Sequence, residues 1–198
     1  DDSFRFGGDG TNGSIGRPFF NSGLGVEDAV FIGFEDGGND DFQGSVSGEA
    51  SLQIIAAEAY GRLNLGRGRE FHTDLIGGYS YFGIDDDLSI RSNSIDKEDG
   101  GETTFSDFFN TRNEFHGGQL GAETILRRGR WVARSVTKVH LGNMNQQVSI
   151  RGQATNTAVL GAPLETFDRG LLAGANQGVY ERDEFTFAPE LNLQLGYR

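Results

Sequence analysis

The sequence predicts an all-β protein, an antiparallel up-and-down transmembrane β-barrel of which this chain is an incomplete part. Three observations predict it. First, the closing segment FTFAPELNLQLGYR divides by alternate residues into two unlike files. Phe185, Phe187, Pro189, Leu191, Leu193, Leu195 and Tyr197 form one, and Thr186, Ala188, Glu190, Asn192, Gln194, Gly196 and Arg198 the other, the period of a strand with two different faces. Second, the connections between strand-like segments alternate short and long. Third, glycine is abundant, 31 of 198 residues, and Gly77, Gly78, Gly117, Gly118 and Gly121 fall inside strand-like runs. Glycine weakens a strand interior, so this use implies bulges, strong curvature or close backbone contact, which barrels require.

Taken in order, residues 1–25 are rich in Gly, Asn and Asp and read as a loop or lead-in, with the barrel domain occupying 26–198. A weak strand is expected at Ala29–Glu35, followed by strands at Ser45–Leu65, Phe71–Ile84, Asn113–Arg128, Arg130–Gly142 and Glu184–Arg198. No amphipathic helix is evident. The link Gly66-Arg67-Gly68-Arg69 is tight, Asp85 to Arg112 reads as a long acidic loop, Arg128-Gly129-Arg130 is tight, and Asn143 to Asp183 reads as long. Gln147–Gly152 can continue the preceding strand beyond a membrane boundary. Bacterial outer-membrane barrels place short turns on one rim and long loops on the other, whereas long structureless loops are uncommon in compact soluble domains.

Composition narrows the function. The formal net charge is −12, which argues against nucleic acid, whose phosphates need a basic face. There is no Cys, hence no disulfide framework, thiolate nucleophile or Cys-based metal site. No run approaches the roughly 18 apolar residues of a membrane helix. The sequence begins at Asp1 with no signal-like run, as expected of a processed or excerpted chain.

Charge falls on one face of the strands at Phe71–Ile84, Asn113–Arg128 and Arg130–Gly142, whereas Ser45–Leu65 fits less well, since Ser51 and Gln53 share a file with Ile55 and Leu63. Trp131, Ala133, Ser135, Thr137, Val139 and Leu141 oppose Val132, Arg134, Val136, Lys138 and His140, and the next strand back sets Leu120 and Leu126 against Gln119 and Glu123. A polar interior and an apolar outer band have this form. Glu58, Arg62, Glu123, Arg134, Lys138 and Glu190 are the candidate lumen-lining charges, with Arg198 beyond them. They either bias ion passage or pair across a narrow barrel and plug it. Phe71, Trp131 and Tyr197 near the short turns, with Phe115, Phe185 and Phe187 near the other rim, are candidate aromatic girdles.

Four segments, DLIGGYSYFGIDDDLSI, NEFHGGQLGAE, RWVARSVTKVHLGNMNQQVSIRG and GLLAGANQGVYERDEFTFAPELNLQLGY, occur in that order. Together, over roughly Asp74 to Tyr197, the chain resembles the outer-membrane β-barrel family found chiefly in planctomycetes. The resemblance implies an outer-membrane barrel of largely uncharacterised role with no assigned catalytic residue, whose members continue past the final Gly-Tyr with further strands. Ser80 departs from the Gly-Gly-Tyr-Arg-Tyr pattern of that family, which puts in doubt a lumenal charge pair made by the Arg. Five or six strands do not close a membrane barrel, for which about eight is the practical minimum, so the chain is expected to stop short of the complete barrel.

Other motifs carry less. Gly8-Asp9-Gly10-Thr11-Asn12-Gly13 formally fits G-x-G-x-x-G but follows no strong strand and opens no helix. It is a single copy, so it is not a calcium-binding nonapeptide repeat either. His72, His116 and His140 lack metal-ligand spacing and read as rim or wall residues. His140 with Ser135 or Asn143 is the one pairing of base and nucleophile to consider, and no catalytic residue is assigned. Asp85, Asp86 and Asp87, with Asp96–Glu102, offer hard oxygen ligands to divalent cations, and the plainer reading is solvated loop charge. The expectation is a bacterial outer-membrane β-barrel protein, not an enzyme and without a cofactor, acting as a passive pore or envelope structural protein. Its partners are the outer-membrane bilayer and divalent cations at acidic loops. The alternative is a soluble secreted β-sandwich or barrel binding a ligand through long loops.

Overall fold

The computed structural model describes residues 2–37 and 41–198. Nine strands are described: β1 (Asp2–Gly8), β2 (Ile15–Asn21), β3 (Val26–Gly33), β4 (Phe42–Arg67), β5 (Phe71–Asp96), β6 (Glu102–Arg128), β7 (Trp131–Thr157), β8 (Glu165–Phe167) and β9 (Gly178–Tyr197). Among the described residues there is no helix. The main sheet runs β1-β4-β5-β6-β7-β8, with β9 also paired to β7, and β2–β3 form a separate hairpin. The sheet is not closed, as expected of an incomplete barrel.

Three expectations about loops are corrected. Residues 1–25 are not simply loop: they carry β1, antiparallel to the start of β4, and β2, paired to β3. The acidic stretch from Asp85 to Arg112 is mostly strand, because β5 continues to Asp96 and β6 begins at Glu102. Alternation of Asp85, Asp87, Ser89, Arg91 and Asn93 with Ile84, Leu88 and Ile90 suits a two-faced strand, and charge alone had suggested a loop. Likewise β7 runs on to Thr157. The short–long order therefore survives only in part, since residues 97–101 form a tight link between β5 and β6 while 158–177 remains long and contains β8.

The chain divides into two compact units. The first comprises 1–52, 86–111 and 148–180. Here one face of the sheet is covered by the β2–β3 hairpin and by residues 168–177, which bury Ile32, Ala154 and Ala173 and the polar Arg17, Ser92 and Asp107. The opposite file, including Ser47, Ser89, Arg91, Thr104, Arg151 and Gln153, lines open grooves, one of them shared with Leu88, Phe108 and Phe109.

The second unit comprises 53–85, 112–147 and 181–198 and holds segments of β4, β5, β6, β7 and β9. Glycines let its neighbouring strands fit. A side chain at Gly121 would collide with the Thr137 carbonyl and Lys138, and one at Gly117 with the Phe115 ring and the Leu141 carbonyl. The turn between β6 and β7 is made by Gly129 at φ 61°, a left-handed conformation that favours glycine. Pro189 lacks an amide proton and lies in β9, whose described strand partner is β7 alone, the edge setting in which a strand tolerates proline.

Candidate functional site

The faces of the second unit are chemically opposite. On β9, Leu191, Leu193 and Leu195 are 65, 70 and 72% exposed. Leu63, Leu65, Leu120, Leu126 and Leu141 are exposed too. Isolated exposed leucines need no explanation, but a band spread over four strands, β4, β6, β7 and β9, marks a surface that meets something apolar. The opposite file buries Asp74, Ser80, Gln119, Glu123, Lys138 and His140. This inverts the soluble pattern, in which polar groups face water and leucines face a core.

All six candidate lumen charges fall on this polar face, in two groups. In the first, Glu123 Oε1 accepts from Arg134 Nε at 2.6 Å, and Arg62 Nη1 forms an ion pair with Oε2 at 2.5 Å without hydrogen-bond geometry. In the second, Lys138 Nζ lies 2.7 Å from Glu58 Oε2 and 3.3 Å from Glu190 Oε2, with the Tyr60 ring centroid 5.4 Å away. Charge-assisted bonds of this kind are stronger than neutral ones, and several together form a network. The groups join four of the five strands, because Glu58 and Arg62 stand on β4, Glu123 on β6, Arg134 and Lys138 on β7, and Glu190 on β9.

Two participants were not assigned from sequence. His140 Nδ1 lies 3.0 Å from Ser80 Oγ, and its Nε2 lies 3.2 Å from Glu190 Oε2. Ser80 thus meets an imidazole, and Lys138 supplies the cation between the carboxylates. Membership of the Lys138 file was the available signal for His140, and even spacing from Asp74 the signal for Ser80. His140 does not pair with Ser135, which belongs to the other file, or with Asn143, which donates to Asp183 at 3.0 Å. The serine of the Ser80–His140–Glu190 chain is fully buried, and the arrangement ties β5, β7 and β9 together.

Glu58, His140 and Glu190 place one ligand atom each within 4.8 Å of one another, a spacing open to a divalent ion. The Lys138 ammonium already stands between the two glutamates, and a metal would have to displace it. Asp85, Asp86 and Asp87 do not converge on a common ion. They lie consecutively on β5, where successive side chains point to opposite faces. Asp85 accepts from Arg112 Nε at 2.9 Å and Asp87 accepts from Asn110 Nδ2.

The aromatic residues separate in the same way. Trp131 packs edge-on against Tyr197 at 5.0 Å, both exposed, and Phe71, Phe185 and Phe187 are also exposed. Phe115 is different. It is 1% exposed and packs on Phe82 at 5.4 Å, and an odd position on β6 puts it with Gln119 and Glu123. Its assignment to an outer girdle is therefore withdrawn. Tyr79, not proposed, is on the outer file, with its hydroxyl 2.6 Å from His116 Nδ1.

Long antiparallel strands with an exposed leucine file on one side and interlocked charges on the other define the wall of a β-barrel of the porin class. The family model described as Putative beta barrel porin-7 matches residues 1–198, and the chain belongs to that family. Searches of curated proteins and of solved structures returned no match.

Proposed function

We propose that the chain forms part of the wall of a bacterial outer-membrane β-barrel whose polar face lines a passive passage for small solutes. The observation that carries this reading is the inversion of the second unit, with leucines exposed and charges interlocked. Its dimensions agree with it. Phe185 and Tyr197 lie twelve residues apart on β9, about 40 Å along a strand, and a tilt of about 45° reduces this to about 28 Å, close to the apolar band of such barrels. Phe71, Trp131 and Tyr197 then form one aromatic belt, with Phe185, Phe187 and Tyr79 in the other.

Mixed charge along the polar file favours passage of small hydrated solutes with weak ion preference. The acidic turn holding Asp96, Glu98, Asp99 and Glu102 is the remaining place for divalent cations to collect. Unchanged protease cleavage there after chelation would end that part of the reading. Ligand binding through long loops loses its basis, because most of those loops are strand. The test is reconstitution of the full-length protein into planar bilayers. Discrete conductance steps are expected, and insertion without steps would leave an envelope structural role.

A further inference from the structure

In the first unit one face of the sheet is closed and the other is open. On the closed face, Arg17 Nη2 of the β2–β3 hairpin lies 2.6 Å from Asp107 Oδ2, and Asp107 Oδ1 accepts the backbone N–H groups of Leu172 and Ala173 at 2.9 and 2.8 Å. On the open face, a groove of about 560 Å³ crosses β1, β4, β5, β6 and β7 and is lined chiefly by hydroxyl, amide and guanidinium groups. That volume falls within the range of roughly 300–1,000 Å³ typical of small-molecule sites.

Strand register sets two arginines on one row of this groove. Arg5 on β1 is paired with Ser47 on β4. Ser45 donates to Asn93 Oδ1 on β5 through both its backbone N–H and its hydroxyl. Two residues further along the antiparallel pair, Ser47 therefore stands beside Arg91. Arg5 and Arg91 are thus two strand spacings apart, about 10 Å, and both are exposed, so their guanidiniums can close on one small anion between them. Arg91 Nε donates to Ser106 Oγ on β6 at 3.3 Å, which leaves the serine's own proton free to donate. Other cations of the unit are engaged: Arg17 and Lys97 pair with carboxylates, and Arg169 lies over the Phe167 ring. Among the described residues, neither Arg5 nor Arg91 has a carboxylate within ion-pair distance. Glu102, the carboxylate in the lining, is four residues from Ser106 along β6, about 13 Å. Exposed charges so far apart are largely screened, the Debye length being about 8 Å in physiological salt. Asp2, Glu49 and Asp87 line the adjoining groove instead.

A phosphate monoester carries a charge of about −1.5 to −2 and three acceptor oxygens, which matches two guanidiniums and a hydroxyl. A carboxylate brings one charge and two oxygens and leaves part of that set unused. We propose that the groove binds a phosphate monoester of a small polyol, such as a sugar phosphate. Arg5 and Arg91 hold the phosphate by charge-assisted bonds, and Gln153 and Glu102 meet the hydroxyl groups. The site stands independently of the passage reading given above.

The test is isothermal titration of the full-length protein in dodecyl maltoside micelles with glucose 6-phosphate, inorganic phosphate and glucose. Glucose 6-phosphate is expected to bind saturably at one site per chain, and glucose is expected not to saturate at the same millimolar concentrations. Arg5→Gln or Arg91→Gln should weaken glucose 6-phosphate about tenfold, the loss of one bond to a charged group. Arg91→Lys, which keeps the charge without the fork, should recover part of that loss. Arg169→Gln removes the same charge elsewhere in the unit and should leave binding unchanged. Absence of saturable binding, or equal weakening by Arg169→Gln, overturns the site. Inorganic phosphate bound as tightly as glucose 6-phosphate overturns the polyol and keeps the phosphate. Binding confined to bicelles that contain phosphatidic acid overturns the soluble ligand and assigns the groove to a lipid headgroup.

Discussion

Replacing Leu191 by arginine separates a lipid-facing sheet from a water-facing one. Leu191 is 65% exposed and lies six residues from both Phe185 and Tyr197 on β9, at the middle of the proposed apolar band. An arginine on the lipid face at the bilayer midplane costs about 2–4 kcal/mol. The same change on a water-exposed surface typically falls within about 0.5 kcal/mol. A 3 kcal/mol loss is roughly a hundredfold change in the folded-to-unfolded ratio. With a denaturant slope of about 1–3 kcal/mol per molar urea, the unfolding midpoint falls by about 1–3 M. The assay is equilibrium urea unfolding of the full-length protein in lipid vesicles, followed by cold-gel mobility and by fluorescence. Asn192→Arg, on the polar file one residue away, is the control and should shift the midpoint far less. Equal shifts for the two variants, or a Leu191→Arg protein as stable as wild type, would refute the assignment of this face to lipid.

Other outcomes follow from the polar face and the turns. Phe115→Ala should destabilise by about 3–5 kcal/mol, the usual cost of emptying a buried aromatic site, whereas Phe187→Ala, an exposed position, should cost less in the same unfolding assay. Glu123→Gln leaves Arg62 and Arg134 without their shared carboxylate and should cost about 2 kcal/mol, in the range for hydrogen bonds to charged groups, while shifting ion preference toward anions in bilayer recordings. The Asp9 carboxyl lies below its ordinary 3.8 because the Thr11 hydroxyl and backbone N–H both donate to it. A depressed acid stabilises the turn above its unfolded pKa and stops doing so as pH falls through the lower folded value. The Thr11 amide shift should therefore hold steady from neutrality to about pH 4 and titrate only below that, and Asp9→Asn should abolish that step.

Much of the wall was legible because two-residue periodicity is local. The files of β7 and β9 could be read directly, and with them Arg134, Lys138 and Glu190 of the six candidate charges. Phe115 was misread within its own strand, and the rest of what was missed needed information beyond one strand. Phe115 looks like any rim aromatic until its parity with Gln119 and Glu123 on β6 is applied. The run from Asp85 to Arg112 seemed a loop because of its acidic clusters at Asp85–Asp87 and Asp96–Glu102, yet Asp85 and Asp87 are held by Arg112 and Asn110 across the strand pair. Arg17 and Asp107 stand ninety residues apart in sequence, and neither the hairpin nor residues 170–173 betray that one buried carboxylate joins them. Ser80 and His140 were each visible, but their pairing depends on strand register, which the sequence does not state.

The central claim is that the outer file of the second unit lies in lipid, and the only tryptophan reports on it. Trp131 is half exposed beside Tyr197, where an interfacial aromatic belt would place it. Fluorescence of the full-length protein in vesicles should be quenched strongly by phospholipids brominated near the top of their acyl chains and weakly by aqueous iodide. Strong iodide quenching with no response to brominated lipid would contradict the account.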